Sequence, residues 1–230
     1  MTNCWRFMGA LPEYLYSYDD NGIFVNLYSS STINQTLQDG RKIDLSVETE
    51  YPFDGKVKVS FTGENVTSFN LRLRIPGWCK AATAMWPGQN KKTVESSKYL
   101  QINRKWKTGD TVELQFEMPV RMIEPNLEVK ADIGQVVFAR GPLVYCLESE
   151  DVSFPVEKAM VADMKPEEVT ERVTELWDPD LLEGIHKLKV PGLVDEEEVE
   201  LILVPWYVRA SRSDSARWII HLPQEGNFEK

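Results

Sequence analysis

Few residues in this sequence have the type and spacing to do covalent or metal chemistry. Its three cysteines, Cys4, Cys79 and Cys146, lie far apart, which suits neither a disulfide framework nor a zinc site of the C-x-x-C kind. As isolated thiols they read as small buried apolar side chains. The two histidines, His186 and His221, each lack a second histidine or cysteine at i+2, i+3 or i+4 and read as structural or surface side chains. No H-E-x-x-H, G-x-S-x-G, Walker loop or dinucleotide glycine fingerprint occurs. Carboxylates are abundant, but a glycosidase pair is defined by its separation in space, and no pair stands out along the chain. The acidic run in "PGLVDEEEVE" reads as a solvated loop or strand edge. No catalytic, cofactor-binding or metal-ligating residue is therefore assigned. Tryptophans remain, because sugar rings stack on indole faces: Trp78 and Trp86 beside the turns of "PGWCKAATAMWPGQ", and Trp206, are candidate stacking platforms. The competing reading packs Trp78 at a sandwich corner and Trp86 in a hairpin connection.

These side chains must be held by a fold, and composition bounds what that fold can be. With 230 residues, 42% of them hydrophobic, the chain can bury at least one sizeable core. Its formal charge of -10, with Lys and Arg spread along the chain and no long basic run, disfavours nucleic acid as a partner. No stretch approaches the roughly 20 apolar residues of a membrane-spanning helix, so the expectation is a soluble globular chain.

Residues 1–17 carry apolar side chains at helical spacing (Cys4, Trp5, Phe7, Met8, Leu11, Tyr14, Leu15), which predicts a helix burying one wide face, interrupted at Pro12. The change to sheet is placed at about Asp19, in the turn chemistry of "YDDNG". Beyond it the period becomes two: Ile43, Leu45 and Val47; Val57, Val59 and Phe61; Phe69, Leu71, Leu73 and Ile75; Val112, Leu114 and Phe116. Short alternating strands between closely spaced turns predict an antiparallel sandwich, with no room for crossover helices. In the second half, "GQVVFARGPLVYCLE", "EVELILVPWYVRAS" and "ARWIIHL" read as strands, while "MKPEEVTERVTELWDPDLLEG" fits either a helix or a long connection with a short helix.

Several segments, taken in order, resemble one family: "EYLYSYDDNGIFVNLY", "YPFDGKVKV", "LRLRIPGWC", "WKTGDTVELQFEMPVRMIEPN", "GQVVFARGPLVYCLE" and "LVPWYVRASR". They are similar to the C-terminal part of the β-L-arabinofuranosidases of glycoside hydrolase family 127. The resemblance implies a mainly β fold, with two antiparallel β-sandwich units preceded by a short helix left over from an (α/α)6 catalytic barrel. Residues 1–17 would be the end of the last barrel helix, 18–120 the first sandwich and 121–230 the second, its final strands able to return to the first. In that family hydrolysis is retaining and uses a cysteine thiolate held by zinc, with a glutamate as acid/base. Asn3, Arg6, Glu13 and Tyr14 take places that follow the family's paired cysteines, which puts those cysteines upstream of Met1 and leaves Cys4 at a position that is not a ligand.

The resemblance thus implies a non-catalytic portion of a glycosidase, supporting a catalytic barrel that is its partner, with zinc belonging to the barrel and no cofactor in this chain. A carbohydrate-binding module for arabinose-containing oligosaccharides, or an interaction module, is the alternative. The exposed helix could also pair two copies. The source would be bacterial, and the compartment, cytoplasmic or periplasmic, stays open.

Overall fold

The computed structural model describes residues 2–226 and divides the chain into two compact units, Met1–Met118 and Pro119–Lys230. The first begins with helix α1 (Thr2–Ala10), followed by a 3-10 turn, Leu11–Tyr14. Pro12 sits at the start of that turn, where its missing N–H costs nothing. The helix is therefore shorter than its apolar spacing predicts, and strand begins at Tyr16 rather than near Asp19. Leu15 ends the turn by accepting the Asn26 N–H at 2.8 Å through its carbonyl, and β1 (Tyr16–Asp19) then pairs antiparallel with β2 (Gly22–Val25). The expected burial of the apolar face is also corrected. Residues 3–9 are all exposed, Trp5 at 76%, because among the described residues no element lies over them.

The rest of this unit is sheet: β3 (Ser31–Thr36), β4 (Lys42–Thr49), β5 (Lys56–Phe61), β6 (Thr67–Arg74), β7 (Ala82–Trp86), β8 (Gln89–Val94), β9 (Tyr99–Trp106) and β10 (Thr111–Phe116). One sheet runs β1-β2-β6-β9 and the other β3-β4-β5-β10-β7-β8. Alternation places Ile23, Val25, Leu71, Leu73 and Ile102 from the first sheet in one core with Ile43, Leu45, Val59, Phe61 and Leu114 from the second. Trp106 is fully buried there, lies on Phe69 with centroids 5.5 Å apart, and donates its indole N–H to the Phe69 carbonyl at 3.1 Å. An indole in a core needs such an acceptor.

Parallel pairing of β2 with β6 depends on Gly22. A Cβ at that position would lie 2.1 Å from the Asn70 carbonyl oxygen, the residue it faces across the ladder. The turn before it is closed by the Asp19 carboxylate, which accepts the backbone N–H groups of Asn21 and Gly22 at 2.9 and 3.0 Å.

The second unit contains β11 (Val120–Ile123), β12 (Gln135–Arg140), β13 (Leu143–Glu148), β14 (Ala159–Val161), helix α2 (Val169–Arg172), β15 (Thr174–Asp178), β16 (Ile185–Val194), β17 (Glu197–Pro205), β18 (Trp218–Ile219) and β19 (Leu222–Pro223). Its strands form one sheet of order β11-β12-β13-β17-β16-β14, to which β15, β18 and β19 are added. The sheet rolls until its ends meet. β19 pairs with β12, and the next residues reach β14, where Glu225 donates its N–H to the Val161 carbonyl at 2.9 Å. Met122, Phe138, Leu147, Leu188, Leu203 and Leu222 fill the space inside. The alternate residues Cys146 and Val204 join Ile185 and Val208 in a smaller core on the other face.

The segment that could be helix or connection contains both a short helix, α2, and a strand, β15, which borders β16 over its whole length. The last described strands, β18 and β19, pair with β13 and β12 of this same unit.

Gly22→Ala should lower the stability of the first unit by about 1–3 kcal/mol through overpacking. Gly40→Ala, with positive φ but open space around it, provides the comparison, and chemical denaturation of both variants should show the larger loss at Gly22.

Candidate functional site

The densest group of charged side chains lies in the second unit, beside its smaller core. Glu148, at the end of β13, is completely buried. One of its carboxylate oxygens accepts the Ala210 backbone N–H at 2.6 Å, and the other is paired with the Arg212 guanidinium. Asp151 takes the second arm of that guanidinium, accepting from Nη1 at 2.9 Å, and also accepts from Lys187 Nζ at 2.9 Å. Lys187 closes the chain by pairing with Asp178 at 2.9 Å. Three carboxylates are thus threaded by two cations.

This arrangement holds charge in place and is not suited to moving protons. Burial pushes the Asp151 carboxyl up, but hydrogen bonds from Arg212 and Lys187 outweigh it and leave the group below the usual carboxylate range. Asp178 is lowered chiefly by its bond to Lys187. Burial would weaken the Lys187 ammonium, yet Asp178 and Asp151 raise it overall, and the hydrogen bond to Asp151 raises Arg212. A general acid or base needs a pKa near the working pH, and these shifts move the groups away from it.

The thiols are quiet for a different reason. Cys79 and Cys146 are buried and free. Desolvation raises Cys79, whose Sγ donates to the Ala81 carbonyl at 3.0 Å, and burial pushes the Cys146 thiol up to about 12. A reactive cysteine needs the opposite shift. Cys4 is exposed on α1, and among the described residues no group of three or more His, Cys, Asp or Glu is arranged to hold a metal ion. The residues present therefore do not fit the zinc that the resemblance implies for the family. Each histidine lies beside a carboxylate: His186 Nδ1 is 3.6 Å from Glu175 and His221 Nδ1 is 3.5 Å from Asp132. The acidic run forms the turn between β16 and β17, with Asp195 bonded to Lys158 at 2.6 Å.

The three tryptophans singled out from sequence are scattered. Trp78 packs against the first core, stacked on Tyr51 with centroids 6.4 Å apart and edge-on to Phe116 at 6.1 Å. Trp86 is half-buried against the same core at the end of β7, beside a shallow groove of about 500 Å³ that Gln89 and Asn90 help to line. Trp206 has the Arg209 guanidinium 3.9 Å from its ring centroid, and that guanidinium also lies 5.3 Å from Trp218. The Trp206 face that a sugar would use thus carries an arginine. Sequence reasoning did not select Trp177, which is 59% exposed on β15. Its flanking residues alternate too weakly to reveal a strand, and no local signal marks it.

No helix among the described residues is long and apolar enough to cross a membrane. The fold of the described residues is mainly β, built largely from antiparallel strands. Residues 22–118 match the family model of the β-L-arabinofuranosidase GH127 middle domain, and residues 120–220 match that of the glycoside hydrolase family 127 C-terminal domain. The chain belongs to glycoside hydrolase family 127.

It is 28% identical, over 239 aligned positions, to the non-reducing end β-L-arabinofuranosidase of Bifidobacterium longum subsp. longum, covering 92% of this chain and 35% of that protein. The crystal structure of a GH127 β-L-arabinofuranosidase from Geobacillus stearothermophilus superposes with a TM-score of 0.82 at 30% identity, over 97% of this chain and 37% of the other. A second GH127 β-arabinofuranosidase gives 0.84 at 32% identity, over 97% and 38%. The chain therefore spans a little over a third of the length of these relatives.

Arg212→Met should destabilise the protein by about 3–5 kcal/mol, because it leaves the Glu148 carboxylate buried without its cation. The double variant with Glu148→Gln should recover part of that loss in denaturant titrations. For pH the sign follows from Asp151 and Asp178. Their folded pKa values are depressed, so the stability they contribute is complete above the unfolded value of about 3.9 and is lost as pH falls through the folded values. Melting temperature should hold from neutral pH to about 4–5 and then fall, less steeply in Asp151→Asn.

Proposed function

We propose that this chain is a non-catalytic portion of a family 127 glycosidase and that it supports a helical catalytic barrel like the one implied for the family. Helix α1 carries the proposal. It leaves Trp5, Phe7 and Met8 exposed to solvent, and large apolar side chains exposed together on one short helix mark a surface made to be covered. The interior agrees with this role. The Cys146 thiol is raised by burial and the buried Glu148 is held by the Arg212 cation.

In this reading hydrolysis is done by residues outside these units. The sandwich and the rolled sheet give the barrel a rigid seat. The retaining, zinc-held thiolate chemistry of the family belongs to the barrel and is not attributed to this chain.

The purified chain should not hydrolyse an aryl β-L-arabinofuranoside, and mixing it with the separately produced helical portion of a family 127 relative should give a complex detectable by size exclusion with light scattering. Trp5→Glu with Phe7→Glu should weaken that complex at least tenfold while leaving the thermal melt of the sheets in place. Hydrolysis by the chain alone, abolished by Cys4→Ser, would refute the proposal. So would a stable dimer through α1 that excludes the helical partner.

A further inference from the structure

One indole in the second unit is both held in place and open to solvent. Trp177 on β15 faces His186 across the ladder to β16, and opposed residues share a face of the sheet. The two rings meet edge to face with centroids 4.9 Å apart. Below the indole is Gly184, where a Cβ would lie 2.2 Å from the Trp177 ring. Glycine there (φ +116°) lets the indole rest directly on backbone. Even so, 59% of Trp177 is exposed. The ring is fixed from beneath and from one side while much of its surface faces water.

Polar groups adjoin it on the same face. Glu175, two residues earlier on β15, accepts from Arg140 Nε at 2.7 Å, and the same carboxylate oxygen lies 3.6 Å from His186 Nδ1. The backbone carbonyl of His186 accepts the Tyr145 hydroxyl at 3.0 Å. Arg140 and Glu175 offset each other's charge, so the place has little attraction for an ion. It offers a flat π face beside fixed donors and acceptors.

We propose that Trp177, with Glu175, His186 and Arg140, forms a subsite for one ring of a neutral, arabinose-containing oligosaccharide. The choice of sugar rests on the family reading above, whereas the site rests on its geometry. A sugar ring has one face of C–H bonds, which suits the negative face of an indole. Its hydroxyls suit a carboxylate and a guanidinium lying at the edge. Because the indole is already held by Gly184 and His186, little side-chain entropy is lost on binding. The other tryptophans of this unit compare poorly: Trp206 and Trp218 share the Arg209 guanidinium, at 3.9 and 5.3 Å from their rings.

The test is a titration of the whole chain with a β-L-arabinofuranosyl disaccharide, followed by NMR of the indole N–H signals. The Trp177 signal is assigned through Trp177→Phe. Saturable movement of that signal is expected, with Trp177→Ala weakening binding at least about tenfold, Glu175→Gln weakening it less, and Trp218→Ala leaving it unchanged. No saturable movement of the Trp177 signal in the wild-type chain would overturn the subsite. Equal loss from Trp218→Ala, or full affinity in a folded Trp177→Ala, would overturn it too. Docking of the helical portion is read by light scattering without sugar, so a chain that docks but does not bind the disaccharide refutes the subsite alone.

Discussion

A β-strand has two faces, and covering at least one of them is the constraint on which this structure depends. The first unit meets it with a second sheet. The apolar face of β2, β6 and β9 is closed by that of β4, β5 and β10, so that Leu71 and Leu73 share one core with Leu45 and Val59. The second unit meets it by rolling a single sheet until β19 and the residues after it connect β12 to β14. Rolling encloses one core and leaves the other face of β13 and β17 to be covered by the chain after β17, which brings Val208 over Cys146 and Val204. The buried charges follow from that covering. The segment that supplies Val208 also supplies the Ala210 N–H and Arg212 to the buried Glu148, so a polar group at the end of β13 is satisfied by the same loop that seals the apolar patch.

The strands were legible where one face is apolar and the other is wet. Ile43, Leu45 and Val47, or Val57, Val59 and Phe61, announce a half-buried strand by alternation alone, and the residues between them are indeed less buried. Legibility failed where neighbours decide the outcome. Residues 174–178 have the polarity of a helix or loop and become strand because β16 offers them an edge. Tyr16 and Ser17 fall in the segment read as helix, yet they pair with β2 as soon as the Asp19 turn folds back. The helix itself was visible, while its exposure followed only from the family resemblance, since periodicity reports apolar spacing and says nothing of what covers it.

The candidate sites were less legible than the fold, and for a physical reason. Glu148, Asp151, Asp178, Lys187 and Arg212 are spread over five segments and meet only through the order of strands in the rolled sheet. No local spacing encodes such a cluster. The tryptophans show the converse. Residue type suggested Trp78 and Trp206 as platforms, but Tyr51, Phe116 and Arg209 pack against them. A stacking surface is defined by what is missing from one face of a ring, which sequence cannot report.

The proposed supporting role asks little chemistry of the described residues. A nucleophile, an acid/base and their metal must be held to within fractions of an ångström, and elements that hold them gain from carrying no competing reactive group. Here the cations are committed to carboxylates, the buried thiols are desolvated, and backbone polarity is consumed by ladders. Among the surfaces left open are the exposed apolar side chains of α1, suited to packing against another helix, and an indole on β15, suited to a ring. The first is mainly apolar, with the Trp5 indole N–H and the Asn3 and Arg6 side chains among its polar groups. The second has too little apolar area to hold a protein partner, so the two surfaces call for different kinds of partner.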